Sequence, residues 1–405
     1  MNRPPERPDL RQPEALLAHM RHTLSFYAPR VKDGSGGCFQ FFKDDGTVYD
    51  RRMRHLVSST RFVFNHALAW RWFGAPVADV AHALAFVRNA HAQPQGGYAW
   101  VLDWHEGRAT VLDDTHHCYG LAFVLLAHAH AAEAGVPGAR EGIAETFALM
   151  EERFWEPEHG LYADEATPDW RVGAYRGQNA NMHACEAMLA AHAATGEQCY
   201  LDRALVLAES ITQCQAAMAG GLIWEHYRAD WTPDWHYNRH DKTNIFRPWG
   251  FQTGHLTEWA KLLLQLERRL GTAAPAWLFD TAASLFDEAM KPGWDEAHGG
   301  LVYGFGPDGR VCDGDKYFWV QAESLAAAAW LAVRSGDDRH WQWYDRLWAY
   351  AWAHFVDHEH GAWYRILTHD NRKYDDEKSP AGKTDYHTLG ACHEVLNVVR
   401  EGMPG

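Results

Sequence analysis

The sequence has no apolar run long enough to span a bilayer. Its most apolar stretch, LAFVLLAHAHAA, is short and carries His128 and His130, so no membrane partner is expected. The N-terminus, MNRPPERPDLRQPEALLAHM, lacks the charged-then-apolar order of a signal peptide, and the protein is expected to be cytoplasmic. Cysteines are few and scattered: seven, at Cys38, Cys118, Cys185, Cys199, Cys214, Cys312 and Cys392, with no CxxC pair. That pattern argues against a disulfide framework and a zinc-thiolate site. Blocks of Lys and Arg are also missing, and 53 acidic against 38 basic residues give a net charge of -15, which makes nucleic acid a poor partner. No Gly-rich phosphate loop is present either, because FGPDGR has only the form of a turn.

No Pro/Gly/Ser-rich linker divides the 405 residues, and 47% are hydrophobic, so the expectation is one domain over residues 1–405. Large rings are abundant, with 20 Trp, 18 Phe and 16 Tyr. Most of them must simply fill a core, although exposed ring faces also suit the C–H faces of sugars. With 26 His in the chain, no argument from a single His carries weight.

A glycine followed within three residues by an aromatic recurs along the chain, as GGCFQFF, GGYAW, HGLYAD, GGLIWEHY, GGLVYG and HGAWYR. The last glycines of these turns, Gly37, Gly97, Gly160, Gly221, Gly300 and Gly361, are 60, 63, 61, 79 and 61 residues apart. Between them the apolar residues follow a helical period, which predicts twelve helices near 13–28, 55–73, 76–92, 113–134, 137–155, 179–195, 199–216, 251–270, 274–291, 317–335, 339–357 and 385–401. Short breakers such as Gly74-Ala75-Pro76 and Gly135-Val136-Pro137 split the helices into pairs, and the Gly-aromatic turns with short strands link one pair to the next. Six pairs without a central sheet predict an all-α (α/α)6 barrel. An open solenoid is the competing architecture, but its repeats are usually shorter.

Counted from the anchor glycines, Arg61 lies 24 residues on, His116 19, His183 23, His255 34, Glu323 23 and His387 26. The long offset to His255 belongs to the repeat with the insertion WTPDWHYNRHDKTNIFRPWG, which is expected to overhang a pocket. All six residues should lie in the first turns of successive inner helices and point to one rim, where free backbone N–H groups favour oxyanions and hydroxyl-rich ligands. Taken singly, Arg61 could be a surface ion-pair partner, Asp113, Asp114 and Asn179 could be N-caps, and each His a core residue. The Asp113, Asp114, His116 and His117 cluster offers adjacent pairs that diverge on a helix, and His255 with Glu258 lacks a third donor at ligand spacing, so no metal is expected.

The segments YRGQNANMHACEAML, FRPWGFQTGHLTEWAKLLL and KTDYHTLGACHEVL, with RHLVSSTRFVF and KYFWVQAESLAAA, resemble signature segments of the N-acylglucosamine 2-epimerase superfamily from about residue 50 onward. The first two are most similar to its mannose isomerase branch. The resemblance implies an (α/α)6 barrel acting without metal or cofactor at C1 and C2 of an aldose, with a small monosaccharide such as D-mannose or D-lyxose as partner. Carried over by motif, it implies catalytic roles for His387, His255, Arg61, Glu258 and His183, and sugar contacts for Asn179, Trp319, Gln321, Glu323, Asp385 and the ring position His116.

Isomerising an aldose requires opening the ring and removing the proton on C2, and His suits both steps because its pKa lies near neutrality. The resulting enediolate needs a cation or donors at O1, a task for Arg61. By the resemblance, His387 is the base at C2 and His255 opens the ring and serves as second acid/base. The same inventory fits a 2-epimerase. A glycoside hydrolase using Glu258, Glu323 or Asp385, or a sugar-binding protein without turnover, are the readings from other classes.

Overall fold

In the computed structural model, residues 4–401 are described apart from 242, 243 and 245. Helices dominate. The twelve long ones are α1 (Pro13–Tyr27), α2 (Leu56–Phe73), α3 (Val77–Phe86), α4 (Cys118–Glu133), α5 (Ala139–Arg153), α6 (Gln178–Thr195), α7 (Gln198–Glu209), α8 (Thr253–Leu270), α9 (Trp277–Gly293), α10 (Phe318–Ser335), α11 (Asp338–His354) and α12 (Tyr386–Glu401). Turns of π-helix at Val87–His91 and Ser210–Gln215 extend α3 and α7 to the lengths read from the periodicity. The boundaries agree with expectation except at α4. Residues Arg108–Asp113 form a strand and His116–His117 a second, so α4 begins at Cys118.

The helices fall into two classes by burial. In α4, α6, α8 and α10 nearly every residue of the first three turns is buried, whereas α5, α7, α9 and α11 bury one stripe. A helix apolar all round belongs inside and an amphipathic one outside. Contacts bear this out, for α2, α4, α6, α8, α10 and α12 touch one another in that order and α12 returns to α2. Each is backed by an outer partner, α3, α5, α7, α9 and α11 in turn, and α12 by α1 from the N-terminal end.

Short strands fix which way the inner helices point. Met53–His55 pairs with Val101–His105, His116–His117 with Glu165–Ala166, Arg176–Gly177 with His226–Tyr227, Phe251–Gln252 with Gly304–Phe305, and Lys316–Tyr317 with Ile366–Leu367. Each pairing ties the entry of one inner helix to the segment just after the next Gly-aromatic turn. Phe41–Lys43 pairs with Glu377–Ser379 and joins the first repeat to the last. All the inner helices therefore start at one rim. Among the described residues no helix is long and apolar enough to cross a membrane.

All six anchor glycines have φ between +65° and +92°, a region closed to most side chains. Gly300 is the tightest, since a Cβ there would lie 2.3 Å from the Tyr350 ring, whose hydroxyl is tied to Asn371 at 2.7 Å. Gly300→Ala is expected to cost about 3 kcal/mol from strain and overpacking together. A urea midpoint equal to the parent's would contradict that.

Candidate active site

Two layers of side chains face the axis at the N-terminal end of the inner helices. Near the helix starts stand Tyr119, Asn179, Trp319 and His387, the second residues of α4, α6, α10 and α12, with His255, the third of α8. One turn further in, the sixth residues of α2, α4, α6, α8 and α10 are Arg61, Phe123, His183, Glu258 and Glu323. Residues four apart share a helix face, so the layers stack. A cavity of about 110 Å³, open to solvent at its mouth, is lined by Arg61, Tyr119, Asn179, His183, His255, Glu258, Trp319 and His387. Loops add Phe246 and Pro248 of the insertion, Tyr303, Arg365 and Pro380–Lys383 to its wall. The insertion thus does border the mouth, although 242, 243 and 245 lie outside the described residues.

Three histidines carry the same device. His387 Nδ1 lies 2.6 Å from Glu323 Oε1, His255 Nδ1 2.9 Å from Glu225 Oε2, and His183 Nδ1 2.9 Å from Glu186 Oε2. An ionised carboxylate can only accept, so Nδ1 carries the hydrogen and Nε2 is the lone-pair nitrogen left for a ligand. Burial raises the pKa of Glu323, and Lys261, whose Nζ is 2.5 Å from Oε2, opposes that and favours the ionised form. At Glu225 the support is neutral, Gln178 Nε2 at 3.0 Å, with Gln178 in turn fixed by Trp259 Nε1 at 2.7 Å. The Trp319 ring stands between the two histidines of the outer layer, its centroid 5.0 Å from that of His255 and 5.8 Å from that of His387.

Burial, and then the Arg61 charge, hold His387 well below the usual imidazole range, and burial lowers His183. Both are neutral near pH 7 and able to take a proton. Glu258 is fully buried with neither oxygen hydrogen-bonded to protein, and burial followed by the nearby Glu323 charge pushes it well above the carboxylate range. It is a carboxylic acid with its hydrogen available to a ligand. Arg61 is clamped: Nη1 donates to Gly382 O at 2.5 Å and Nη2 to Tyr119 Oη at 3.2 Å, with its guanidinium 4.5 Å from the Phe123 centroid and 4.8 Å from that of Tyr386.

Of the eleven residues singled out from sequence, Arg61, His183, His255, Glu258, His387, Asn179 and Trp319 line the cavity. Glu323 lies directly behind His387. Three expectations are corrected. His116 belongs to a strand before α4, and its ring stacks on Trp170 at 3.8 Å against the Gly97 turn, away from the cavity; Tyr119 takes its place. Gln321 turns outward and its amide clamps Leu301, accepting from the backbone N at 3.0 Å and donating to the O at 2.8 Å. Asp385 is buried beneath the mouth, accepting from Tyr27 Oη at 2.6 Å, the Trp363 backbone N at 3.1 Å and Lys383 Nζ. It shapes the loop wall and does not reach the cavity. Nor are Asp113, Asp114 or Asn179 N-caps: the cap positions are His117 and Gly177.

Sequence reasoning missed Glu186, Glu225, Gln178, Lys261 and Tyr119. Glu186 was legible in principle, three residues after His183 on one helix. Glu225 sits in the GGLIWEHY turn, and only the pairing of His226–Tyr227 with Arg176–Gly177 carries it to His255.

His183, Glu186 and Glu258, and again Glu258, Glu323 and His387, each bring one ligand atom within 4.8 Å of the others, close enough to hold a metal ion. The donor sets fit a cation poorly. Glu186 and Glu323 are already bonded to His183, His387 and Lys261, and the Arg61 and Lys261 charges both act on the shared Glu258.

The N-acylglucosamine 2-epimerase family model matches residues 37–391. A D-mannose isomerase of Marinomonas mediterranea is 52% identical over 95% of this chain and 97% of its own. A crystal structure of a D-mannose isomerase superposes with a TM-score of 0.94 at 51% identity, covering 97% of this chain and 100% of that one. A cellobiose 2-epimerase from Spirochaeta thermophila shares the fold, with a TM-score of 0.84 at 23% identity over 98% of both chains.

Proposed function

Because the chain belongs to the N-acylglucosamine 2-epimerase family, we propose that it is an aldose–ketose isomerase converting D-mannose to D-fructose, with D-lyxose to D-xylulose as a further reaction. The reading takes residues 1–405 as one (α/α)6-barrel domain that works without a resident metal or cofactor. The closed circuit of inner-helix contacts supports the barrel, and the likeness to D-mannose isomerases at about half identity supports the substrate. The single observation that carries the chemistry is His387: its Nδ1 is held by Glu323, its Nε2 is free for substrate, and Arg61 stands beside it.

On this reading His255 opens the hemiacetal, taking the O1 hydrogen and protonating O5. His387 Nε2 then removes the proton from C2, and the electrons of that C–H bond form the C1–C2 double bond as the carbonyl oxygen O1 takes the charge. Arg61 and the neutral Glu258 stabilise that oxygen. The O2 hydrogen passes to O1 across the cis-enediolate, and His387 returns its proton to C1 on the same face, which gives the 2-ketose with a hydroxyl at C1. Epimerisation would need His255 to reprotonate C2 from the opposite face, so the first product separates the readings. Incubating the protein with mannose and a chelator in D2O, with products followed by proton NMR, is expected to give fructose with deuterium at C1. Glucose as first product, or loss of activity to the chelator, overturns the proposal.

A further inference from the structure

Glu323 and Glu225 hold their histidines in the same way but sit in different charge surroundings. Glu323 is bonded to both His387 and the Lys261 ammonium, and all three side chains are buried. Burial works against the charge on Lys261, yet Glu323, Glu258 and Glu186 outweigh it and hold the amine above its ordinary range. Lys261 does not border the sugar cavity. It lines a second cavity at the other end of the inner helices, shared with Glu186, Glu323 and Tyr386. Around Glu225, by contrast, no Lys or Arg forms an ion pair among the described residues, and the support is the uncharged amide of Gln178.

We propose that this difference sets the direction of proton transfer: Lys261, by neutralising Glu323, makes His387 the base, while Glu225, left with its full charge, makes His255 the acid. The inference rests on the isomerase reading for its substrate. Lys261 and Glu225 are positioning residues, since each acts only through the histidine beyond it. A carboxylate whose charge is spent on an ammonium does little to favour an imidazolium, so His387 hands the C2 proton on to C1 readily. A carboxylate facing only an amide stabilises the imidazolium formed when His255 takes the O1 hydrogen, ready for donation to O5. The other ionisable groups around His387 include Arg61, His183, Glu186, Glu258 and Tyr386; Arg61 and His183 oppose a charge on it, which adds to the effect of Lys261, and Glu186 favours one.

The test is the pH dependence of kcat/KM. Lys261→Met leaves the buried Glu323 carboxylate unopposed, so the His387–Glu323 pair takes up a proton at higher pH. Whether that proton resides on the imidazole or on the carboxyl, Nε2 loses its lone pair, because a protonated Glu323 would donate to Nδ1 and move the ring hydrogen to Nε2. The acid limb is expected to move up by about one to two pH units, with Lys261→Arg restoring the parent profile. Glu323→Gln leaves the Lys261 charge unopposed beside His387 and is expected to move the same limb down, which keeps the test alive should Lys261→Met not fold. Glu225→Gln keeps an acceptor for His255 Nδ1 and is expected to lower mannose turnover more than C2 exchange with D2O on the open-chain sugar, while leaving the acid limb in place. A uniform loss of rate across pH in the Lys261 and Glu323 variants, or a Glu225→Gln shift in the acid limb, overturns the inference. Should the parent turn over a different sugar or make an epimer, the substrate reading fails, but the limbs can still be measured on that reaction.

Discussion

His387→Asn is expected to lower kcat about 10³-fold while leaving KM within a few-fold of the parent's, as loss of a general base should. Asn can still donate from its amide toward Glu323, so the buried Glu323–Lys261 pair keeps a partner and the fold survives. What disappears is the lone pair at Nε2. Two readouts should fall together, fructose formation from mannose and exchange of the C2 hydrogen with D2O, because both need the same proton removed. His255→Asn should separate them: mannose turnover falls with ring opening, while exchange on the small open-chain fraction persists. A His387→Asn protein that keeps C2 exchange within tenfold of the parent would assign the base elsewhere, and His255 or His183 would be the next to test.

The repeat was the most legible feature of the sequence, because it rests on backbone chemistry. Six turns require a residue with positive φ and glycine supplies it, so the period is visible in the residues alone. Helix ends were legible where a breaker stood, as at Gly74, Gly196 and Gly336, each in the left-handed conformation. The start of α4 was not, since Asp113 and Asp114 have the form of N-caps, and His116–His117 become a strand only by pairing with Glu165–Ala166. That misplacement is what brought His116 into the ring. Offsets from the turns located the layer to within a turn but not the face: cavity residues stand at the second or sixth position of an inner helix, or at the third in α8, and Gln321, the fourth of α10, points to Leu301 instead. The carboxylates behind the histidines were the hardest to foresee. Glu225 reaches His255 across 30 residues and Glu323 reaches His387 across 64, and no local pattern reports such a meeting.

Arg61→Lys is expected to cost about 10²–10³-fold in kcat, although it preserves the charge. The structure gives the reason. The guanidinium is flat and lies near the rings of Phe123 and Tyr386, with one amino group spent on Gly382 O and another on Tyr119 Oη, so its plane is set before any ligand arrives. Only such fixed placement lets a cation meet an oxygen whose charge appears late in the step. A lysine ammonium is a smaller, strongly hydrated point charge, and it cannot hold Gly382 and Tyr119 and still reach O1. Losing the Gly382 bond should also loosen the Pro380–Lys383 wall of the cavity, so KM is expected to rise modestly alongside the larger fall in kcat. The second effect of Arg61 runs the other way. Its charge disfavours an imidazolium at His387, and Arg61→Met, which removes that charge, should raise the acid limb of kcat/KM even as the maximal rate collapses. In Arg61→Lys the limb should stay near the parent's position. A lysine variant with unchanged kcat would show that charge alone suffices at O1. A methionine variant whose acid limb does not move would remove Arg61 from the field that keeps His387 neutral, leaving that task to burial and Lys261.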